Sequence, residues 1–126
     1  MEIEKIKFKA KSTLDGSWVQ GDLIHMGKNR EKIAILRNRF YVSEIDTSTI
    51  CMFTGEKDMN GNDIYIGDLI SNIETGSVVE VTWNDRLKRL DCNFLNEYKF
   101  IGIPFGIFVS RYKKIVVLGS KFDKEK

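Results

Sequence analysis

The chain has 126 residues and a formal charge of +2, because its 20 lysines and arginines are nearly balanced by 18 acidic residues. With 42% hydrophobic residues it can bury a core without disulfides or metal, and we expect one domain over 1–120 and a tail over 121–126. No apolar run reaches the ~20 residues of a membrane helix, and the dispersed charge argues against nucleic acid, so we expect a cytoplasmic protein.

Apolar residues recur at every second position along much of the chain, which is the pattern of half-buried β-strands. In the first strand, Ile6, Phe8 and Ala10 share one face while lysines line the other. This arrangement favours an exposed strand edge kept soluble by charge, and a phosphate-binding stripe is the functional alternative. Further predicted strands, separated by turn-rich joints, cover 18–26, 32–36, 39–43, 49–53, 64–73, 77–84, 91–95 and 114–119.

Short, evenly spaced strands predict an all-β domain, built as a small barrel or as a sandwich of antiparallel strands. An SH3-like arrangement is an option for the C-terminal half, and we expect at most one or two short helices in the chain. The weakest pattern is LNEYKFIGIPFGIFVSRYK at 95–113, where Pro104 and glycines interrupt any period. We expect loop and irregular strand in that segment, with one short helix as the alternative.

A strong turn signal occupies DMNGND at 58–63. Asp58 and Gly61 stand at the first and fourth positions of a type I turn, with Gly61 in the left-handed conformation that closes a bulged hairpin. A two-residue type I′ turn centred on Asn60 and Gly61 is the alternative. The stretch lacks the spacing of a calcium loop, because the sixth position from Asp58 is an aspartate and the twelfth is a leucine.

The tetrapeptide Gly-Asp-Leu-Ile occurs twice, beginning at Gly21 and at Gly67. In each copy the glycine supplies a bend, and the aspartate accepts hydrogen bonds from nearby amides before two apolar residues reach the core. We therefore predict two structural corners at the start of strands, formed by Gly21 with Asp22 and by Gly67 with Asp68. A catalytic pair of Asp22 and Asp68 is the alternative, and no nucleophile elbow or phosphate loop accompanies it.

The stretch TICMFTGEKDMNGNDIYIGDLI at 49–70 resembles the central signature of the YopX family of phage and prophage proteins. Its string Thr-Gly-x-x-Asp-x-Asn-Gly-x-x-Ile-Tyr-x-Gly-Asp carries the match, and IKFKA at 6–10, WVQGDL at 18–23 and VVLGSKF at 116–122 extend it. The resemblance implies a mostly β protein, encoded by a phage or prophage and present in a bacterial host cell, without an established activity. Side chains that depart from the family pattern are Cys51, Met52, Glu56, Ile66 and Ser120.

No combination of residues in the chain indicates an enzyme. His25 is the single histidine, and Cys51 and Cys92 form no CxxC pair, so we predict no catalytic residues, no metal and no cofactor. Our first hypothesis is an accessory protein that binds a protein partner, with self-association as one option. The alternative is an SH3-like nucleic-acid-binding module.

Two groups of residues are candidates for contacting a partner. Aromatic rings are concentrated in YKFIGIPFGIF at 98–108, where regular strand alternation cannot bury all of them, so some should form an exposed interaction surface. The candidate interface residues there are Phe100, Phe105 and Phe108, unless the segment folds back over an open end of a barrel. The candidate nucleic-acid contacts of the alternative hypothesis are Trp83, Arg86, Lys88 and Arg89.

Overall fold

The computed structural model describes residues 6–38, 41–95 and 102–123. Over these ranges the chain is mainly β, with antiparallel strands and one short helix, which confirms the predicted fold class. The chain divides into two compact units, 1–55 and 56–126, each with its own apolar core. The single domain over 1–120 stays a prediction, which calorimetry tests by the number of unfolding transitions.

The first unit is a small antiparallel sheet that closes on itself. Its strands are β1 (Phe8–Ser12), β2 (Trp18–Met26), β3 (Lys32–Asn38) and β4 (Tyr41–Lys57), the last of which ends two residues beyond the unit. Neighbouring strands pair in chain order, and β4 also pairs with β1, so the ring of strands is complete. The core residues of this unit are Ala10, Val19, Ile35 and Ile45.

Strand β1 is hydrogen-bonded on both sides, to β2 and to β4. The prediction that its lysines protect an exposed edge is therefore wrong. The ammonium groups of Lys9 and Lys11 lie 4.6 and 5.4 Å from the centre of the Trp18 ring, and that of Lys7 lies 4.6 Å from the centre of the Phe53 ring. Favourable contacts between cations and aromatic rings account for the lysine face.

Glycine 21 lies inside β2, where this strand changes its pairing partner. Gly21 is opposite Phe8 of β1, and the next residue, Asp22, is opposite Leu36 of β3. A Cβ atom at Gly21 would lie 2.2 Å from the carbonyl oxygen of Leu36, so the close approach of two backbones requires glycine. Asp22 is exposed. The first Gly-Asp pair is thus a bend within a strand, which corrects the prediction of a corner at the start of one.

Strand β4 joins two segments that the sequence pattern predicts as separate strands. It pairs with β3 over 41–44 and with β1 from Ile45 onward. Between these parts, Asp46 accepts hydrogen bonds from Ser48, and the Oγ1 of Thr49 accepts one from the N–H of Lys11 at 2.8 Å. These local bonds replace part of the ladder, so polar residues interrupt the alternation without ending the strand. Residues 39 and 40 of the predicted strand lie outside the described ranges.

The second unit is a five-stranded antiparallel sheet with one helix and one additional short strand. Its elements are β5 (Asp63–Tyr65), β6 (Asp68–Asn72), β7 (Val78–Asn84), β8 (Arg89–Phe94), β9 (Ile103–Pro104), α1 (Phe105–Arg111) and β10 (Ile115–Ser120). The sheet order is β10-β6-β7-β8-β9, so a meander is followed by the helix and by a last strand that returns beside the first. An SH3-like fold for this half stays a prediction.

Helix α1 lies in the segment that the sequence pattern predicts as loop and irregular strand. Phe105 and Phe108 are three positions apart on one helical face and are only 4% and 1% exposed, within the core of the second unit. The prediction that these two rings form an exposed interface is therefore wrong, because the helical period buries what strand alternation would expose. Phe100 lies outside the described residues.

Two further features of the second unit are the length of its helix and the turn formed by its last described residues. With 7 residues, α1 is too short to span a membrane, and no other helix occurs in the described part of the chain. Residues 121–123 of the predicted tail form a turn, in which the N–H of Lys121 donates to the carbonyl of Gly67 and Asp123 accepts from the N–H of Ser120.

Candidate binding groove

The hairpin formed by β7 and β8 carries a groove of about 470 Å³. Its position follows from strand alternation, because Val79 and Val81 of β7 face the core and Thr82 and Asn84, at the alternate positions, face the opposite side. The loop end of the hairpin contributes Trp83, Arg86 and Leu87 to the lining. The groove therefore combines an apolar rim with the polar outer face of the two strands.

The polar floor of the groove results from cross-strand pairing. Asn84 of β7 is opposite Arg89 of β8, and Thr82 is opposite Asp91. Side chains directly opposite each other on one face of an antiparallel pair are in contact, so the register brings two polar pairs together. Asn93, two residues beyond Asp91, donates to the Oγ1 of Thr82 at 3.1 Å.

Asp91 is 3% exposed and orients the side chains around it. Its Oδ1 accepts a hydrogen bond from the Nε of Arg89 at 2.7 Å, and its Oδ2 accepts one from the Nδ2 of Asn84 at 2.8 Å. Because Arg89 uses Nε for this contact, the N–H groups of its two terminal nitrogens have no partner among the described residues. The guanidinium is therefore held in one orientation with donors available to a ligand.

The backbone at Gly102 closes the floor of the groove. A Cβ atom at this position would lie 2.7 Å from the Oδ1 of Asn93 and 2.9 Å from the Oδ2 of Asp91. Any larger residue would have to displace one of these side chains. The close approach of Gly102 accounts for the burial of Asp91 on a strand face that otherwise points outward.

The apolar rim consists of Leu87 in the loop at 85–88 and Trp83 near the end of β7. Trp83 and Leu87 are 49% and 46% exposed, and the N–H of Leu87 donates to the Oδ1 of Asn84 at 3.0 Å. Lys88 adopts a positive φ of 54° and pairs with Asp85 at 2.9 Å, on the exposed side of the loop. Hydrogen bonds to side chains thus fix the loop, and Lys88 does not line the groove.

Three of the four candidate nucleic-acid contacts come together in this groove, namely Trp83, Arg86 and Arg89. The sequence pattern did not identify Asp91, Asn84 or Gly102 as members of the site. The one available signal is the alternation over β8, in which Arg89, Asp91 and Asn93 alternate with apolar residues. The hydrogen bonds that join the groove residues depend on register, which the sequence pattern leaves open.

The turn at Asp58 has a structural function in the second unit. The N–H of Gly61 donates to the carbonyl of Asp58 at 3.0 Å, and Gly61 has a φ of 83°. The Asp58 carboxylate accepts from the N–H groups of Asn60, Asn62 and Val117. Burial raises the pKa of this carboxyl, but the donated hydrogen bonds outweigh it and hold the pKa below its ordinary value.

The second Gly-Asp pair forms a corner between β5 and β6. Gly67 has a φ of 98°, and its N–H donates to the carbonyl of Val81 at 2.8 Å. Asp68 is fully buried, and its Oδ2 accepts from the N–H of Tyr65 at 2.8 Å. The predicted strand over 64–73 is divided in two by this corner.

Cys51 and Cys92 are both buried. Burial, followed by the charge of Asp91, raises the pKa of the Cys92 thiol to about 12, so it carries no thiolate near neutral pH. No group of three His, Cys, Asp or Glu side chains in these ranges is placed to hold a metal ion. The absence of metal and cofactor stays a prediction.

The fold and the groove define a small, mainly β protein of two compact units with a polar surface site on one hairpin. The family model described as YopX protein matches residues 7–122. The chain therefore belongs to the YopX family, which confirms the resemblance seen in the sequence. A search of curated proteins found no match.

Proposed function

We propose that this YopX-family chain is a non-enzymatic accessory protein, encoded by a phage or prophage, that binds a protein partner in the cytoplasm of the bacterial host. The origin rests on the family resemblance of the motif at 49–70. The binding function rests on one observation: the groove on the β7–β8 hairpin is lined by a half-exposed tryptophan and by an arginine whose orientation is fixed.

Tryptophan and arginine are the residues that most often dominate the binding energy of protein interfaces. Trp83 and Leu87 present apolar surface at the rim, and burying it would supply the favourable free energy of association. The floor is already ordered by hydrogen bonds from Arg89 and Asn84 to Asp91, so binding costs little side-chain entropy there. These features support recognition of a partner.

The hydrogen bonding of the groove supports binding more than it supports catalysis. A general base must be within reach of its substrate, whereas Asp91 is almost fully buried and its two oxygens accept from Arg89 and Asn84. The neighbouring thiol of Cys92 is protonated at neutral pH and points into the core. The polar groups of the groove thus orient one another.

Local charge favours a protein over a nucleic acid as the partner. Lys88 is paired with Asp85, and Arg89 is paired with Asp91, which leaves Arg86 as the cation without a partner among the described groove residues. Binding to a phosphate backbone draws its free energy from several cations that release counterions together. A surface with this balance of charges suits a partner that presents few negative charges.

The test is affinity capture from prophage-induced cells with the wild-type chain, with Trp83→Ala and with Leu118→Ala. Leu118 is an exposed residue of β10 in the same unit and does not line the groove, so its variant is the matched control. We expect a protein captured by the wild type and by Leu118→Ala to be lost with Trp83→Ala. Equal capture by all three chains would contradict the proposal.

Nucleic-acid binding is the second candidate function, because Trp83, Arg86 and Arg89 line one groove, and an aromatic ring beside arginines can stack an unpaired base. The same capture experiment, repeated with nuclease, separates the two functions. Loss of all captured material after nuclease treatment would favour this candidate. Light scattering of the purified chain tests self-association independently of any host partner.

A further inference from the structure

We propose that the groove recognises an acidic peptide segment: the Arg89 guanidinium binds one carboxylate, and a neighbouring apolar side chain packs on Trp83 and Leu87. This inference rests on the proposed binding function of the groove and names the class of its partner. Four observations support it: the fixed arginine, the charge of the lining, the apolar rim and the size of the groove.

The orientation of Arg89 is the first observation. Its Nε donates to the buried Oδ1 of Asp91 at 2.7 Å, so the planar guanidinium is fixed while its terminal N–H groups have no partner among the described residues. Two parallel N–H groups match the spacing of the two oxygens of a carboxylate. Asp91 is in turn held by Asn84, so the arginine is anchored on a side chain that cannot rotate freely.

The charge of the lining is the second observation. Arg86 and Arg89 face the groove, and Asp91 is the one carboxylate in the lining, so the excess is a single positive charge. One ligand carboxylate neutralises that excess. A phosphate backbone, which carries a negative charge at every nucleotide, would need further cations, and Lys88 is paired with Asp85 and does not line the groove.

The rim and the volume are the remaining observations. Trp83 and Leu87 are about half exposed at the loop end, which provides a contact surface for one aliphatic or aromatic side chain. A groove of about 470 Å³ holds a few side chains, within the range of small ligand sites. The site therefore suits a short peptide in which an apolar residue adjoins an aspartate or glutamate.

The test measures binding of three probes by anisotropy, each labelled at one end with fluorescein: the acidic peptide QLDFQ-amide, its neutral counterpart QLNFQ-amide and a short oligothymidylate. We expect the acidic peptide to bind about tenfold more tightly than the neutral one. Arg89→Lys keeps the charge but removes the planar pair of donors, and it should weaken binding of the acidic peptide roughly fivefold. Lys88→Ala, which removes a nearby charge outside the groove, should change that affinity by less than about twofold.

The contrary results separate failure of carboxylate recognition from failure of the proposed binding function. Equal binding of the two peptides, or unchanged affinity in Arg89→Lys, overturns carboxylate recognition. Tighter binding of the oligothymidylate than of the acidic peptide overturns it in favour of nucleic acid. If circular dichroism shows that Arg89→Lys is unfolded, Arg86→Gln replaces it, because that variant removes the excess positive charge of the lining. Unchanged affinity for the acidic peptide in Arg86→Gln also overturns the inference. A host protein whose capture depends on Trp83, together with no preference for the acidic peptide, would leave the proposed function standing without this inference.

Discussion

The carboxylate of Asp58 accepts a hydrogen bond from the backbone N–H of Val117 at 2.9 Å, although the two residues are 59 positions apart. The neighbouring N–H of Met59 donates to the carbonyl of Ile115 at 3.0 Å. Both bonds lie on the side of β10 that faces away from β6, so the turn at 58–61 covers an edge of the sheet. The most recognisable motif of the sequence thus secures the last strand of the second unit.

Asp58→Asn should destabilise the chain by about 1 to 3 kcal/mol. An amide has only one oxygen, and its NH₂ group would face an N–H donor where Asp58 now accepts from Asn60, Asn62 or Val117. Urea unfolding gives the free energy. Asp85→Asn is the control, because its exposed pair with Lys88 should be worth less than about 1 kcal/mol. Equal effects of the two substitutions would show that the hydrogen bonds accepted by Asp58 add no more stability than an exposed ion pair.

The destabilisation caused by Asp58→Asn should depend on pH. The folded-state pKa of Asp58 lies below its ordinary value, so its ionised form stabilises the fold above the unfolded-state pKa of about 4. This contribution is lost as pH falls from about 4 through the folded-state pKa. Unfolding measured from pH 7 down to pH 2.5 should therefore show the wild type and the variant converging in stability at acid pH. If the difference in unfolding free energy between the wild type and the variant stays constant over this pH range, ionisation of Asp58 is not coupled to folding.

Gly61→Val should lower the free energy of unfolding by about 1 to 3 kcal/mol. The position has a φ of 83° and open space where a Cβ atom would lie, so the cost is one of backbone conformation and not of collision. Gly106→Ala is the contrasting variant, since Gly106 lies in α1 with open space around it, and alanine should stabilise the helix by about 0.5 to 1 kcal/mol. Thermal melts of both variants measure the difference, and an unchanged melting temperature for Gly61→Val would exclude the turn conformation.

Phe108→Ala should destabilise the chain by about 3 to 5 kcal/mol, because it empties a fully buried position beside Tyr112. Ile107→Ala, one residue earlier on the exposed side of the same helix, should cost less than about 1 kcal/mol. Chemical denaturation of the pair therefore reports which helical face is buried. A large destabilisation by Ile107→Ala with a small one by Phe108→Ala would show that the opposite face of the helix is buried.

Calcium should produce no saturable heat when titrated into the chain. The oxygens of Asp58 accept N–H donors from its own turn and from β10, so they are not free to converge on a cation. Isothermal titration calorimetry of the chelator-treated protein measures this directly. A binding curve in the micromolar range would require those hydrogen bonds to break and would refute the interpretation.

Local sequence patterns predict the strands in which the alternation of apolar and polar residues is uninterrupted. The alternation over 18–26 and the turn signal at Asp58 depend on neighbours in sequence, and both are present in the structure. The pattern does not assign helix α1, because Pro104 and Gly106 resemble the interruptions of an irregular strand. It also divides β4, since it cannot show that Thr49 bonds to a residue 38 positions away.

The candidate site is predictable only in part, for a related reason. Exposed basic and aromatic residues near the hairpin loop can be recognised from composition, and Trp83, Arg86 and Arg89 are of this kind. The buried Asp91 that orients Arg89, and Gly102 that covers Asp91, belong to the site through strand register and backbone packing. These relationships arise only when the chain has folded.

The position of β10 has a consequence for shortened gene products. A chain that stops before Ile115 would lack the strand that covers β6, and the N–H groups and carbonyls of β6 would then be open to pairing with other molecules. The Asp58 carboxylate would also lose a donor. Such a fragment would be a substrate for cellular proteases, so a late nonsense mutation should abolish the protein almost as completely as an early one.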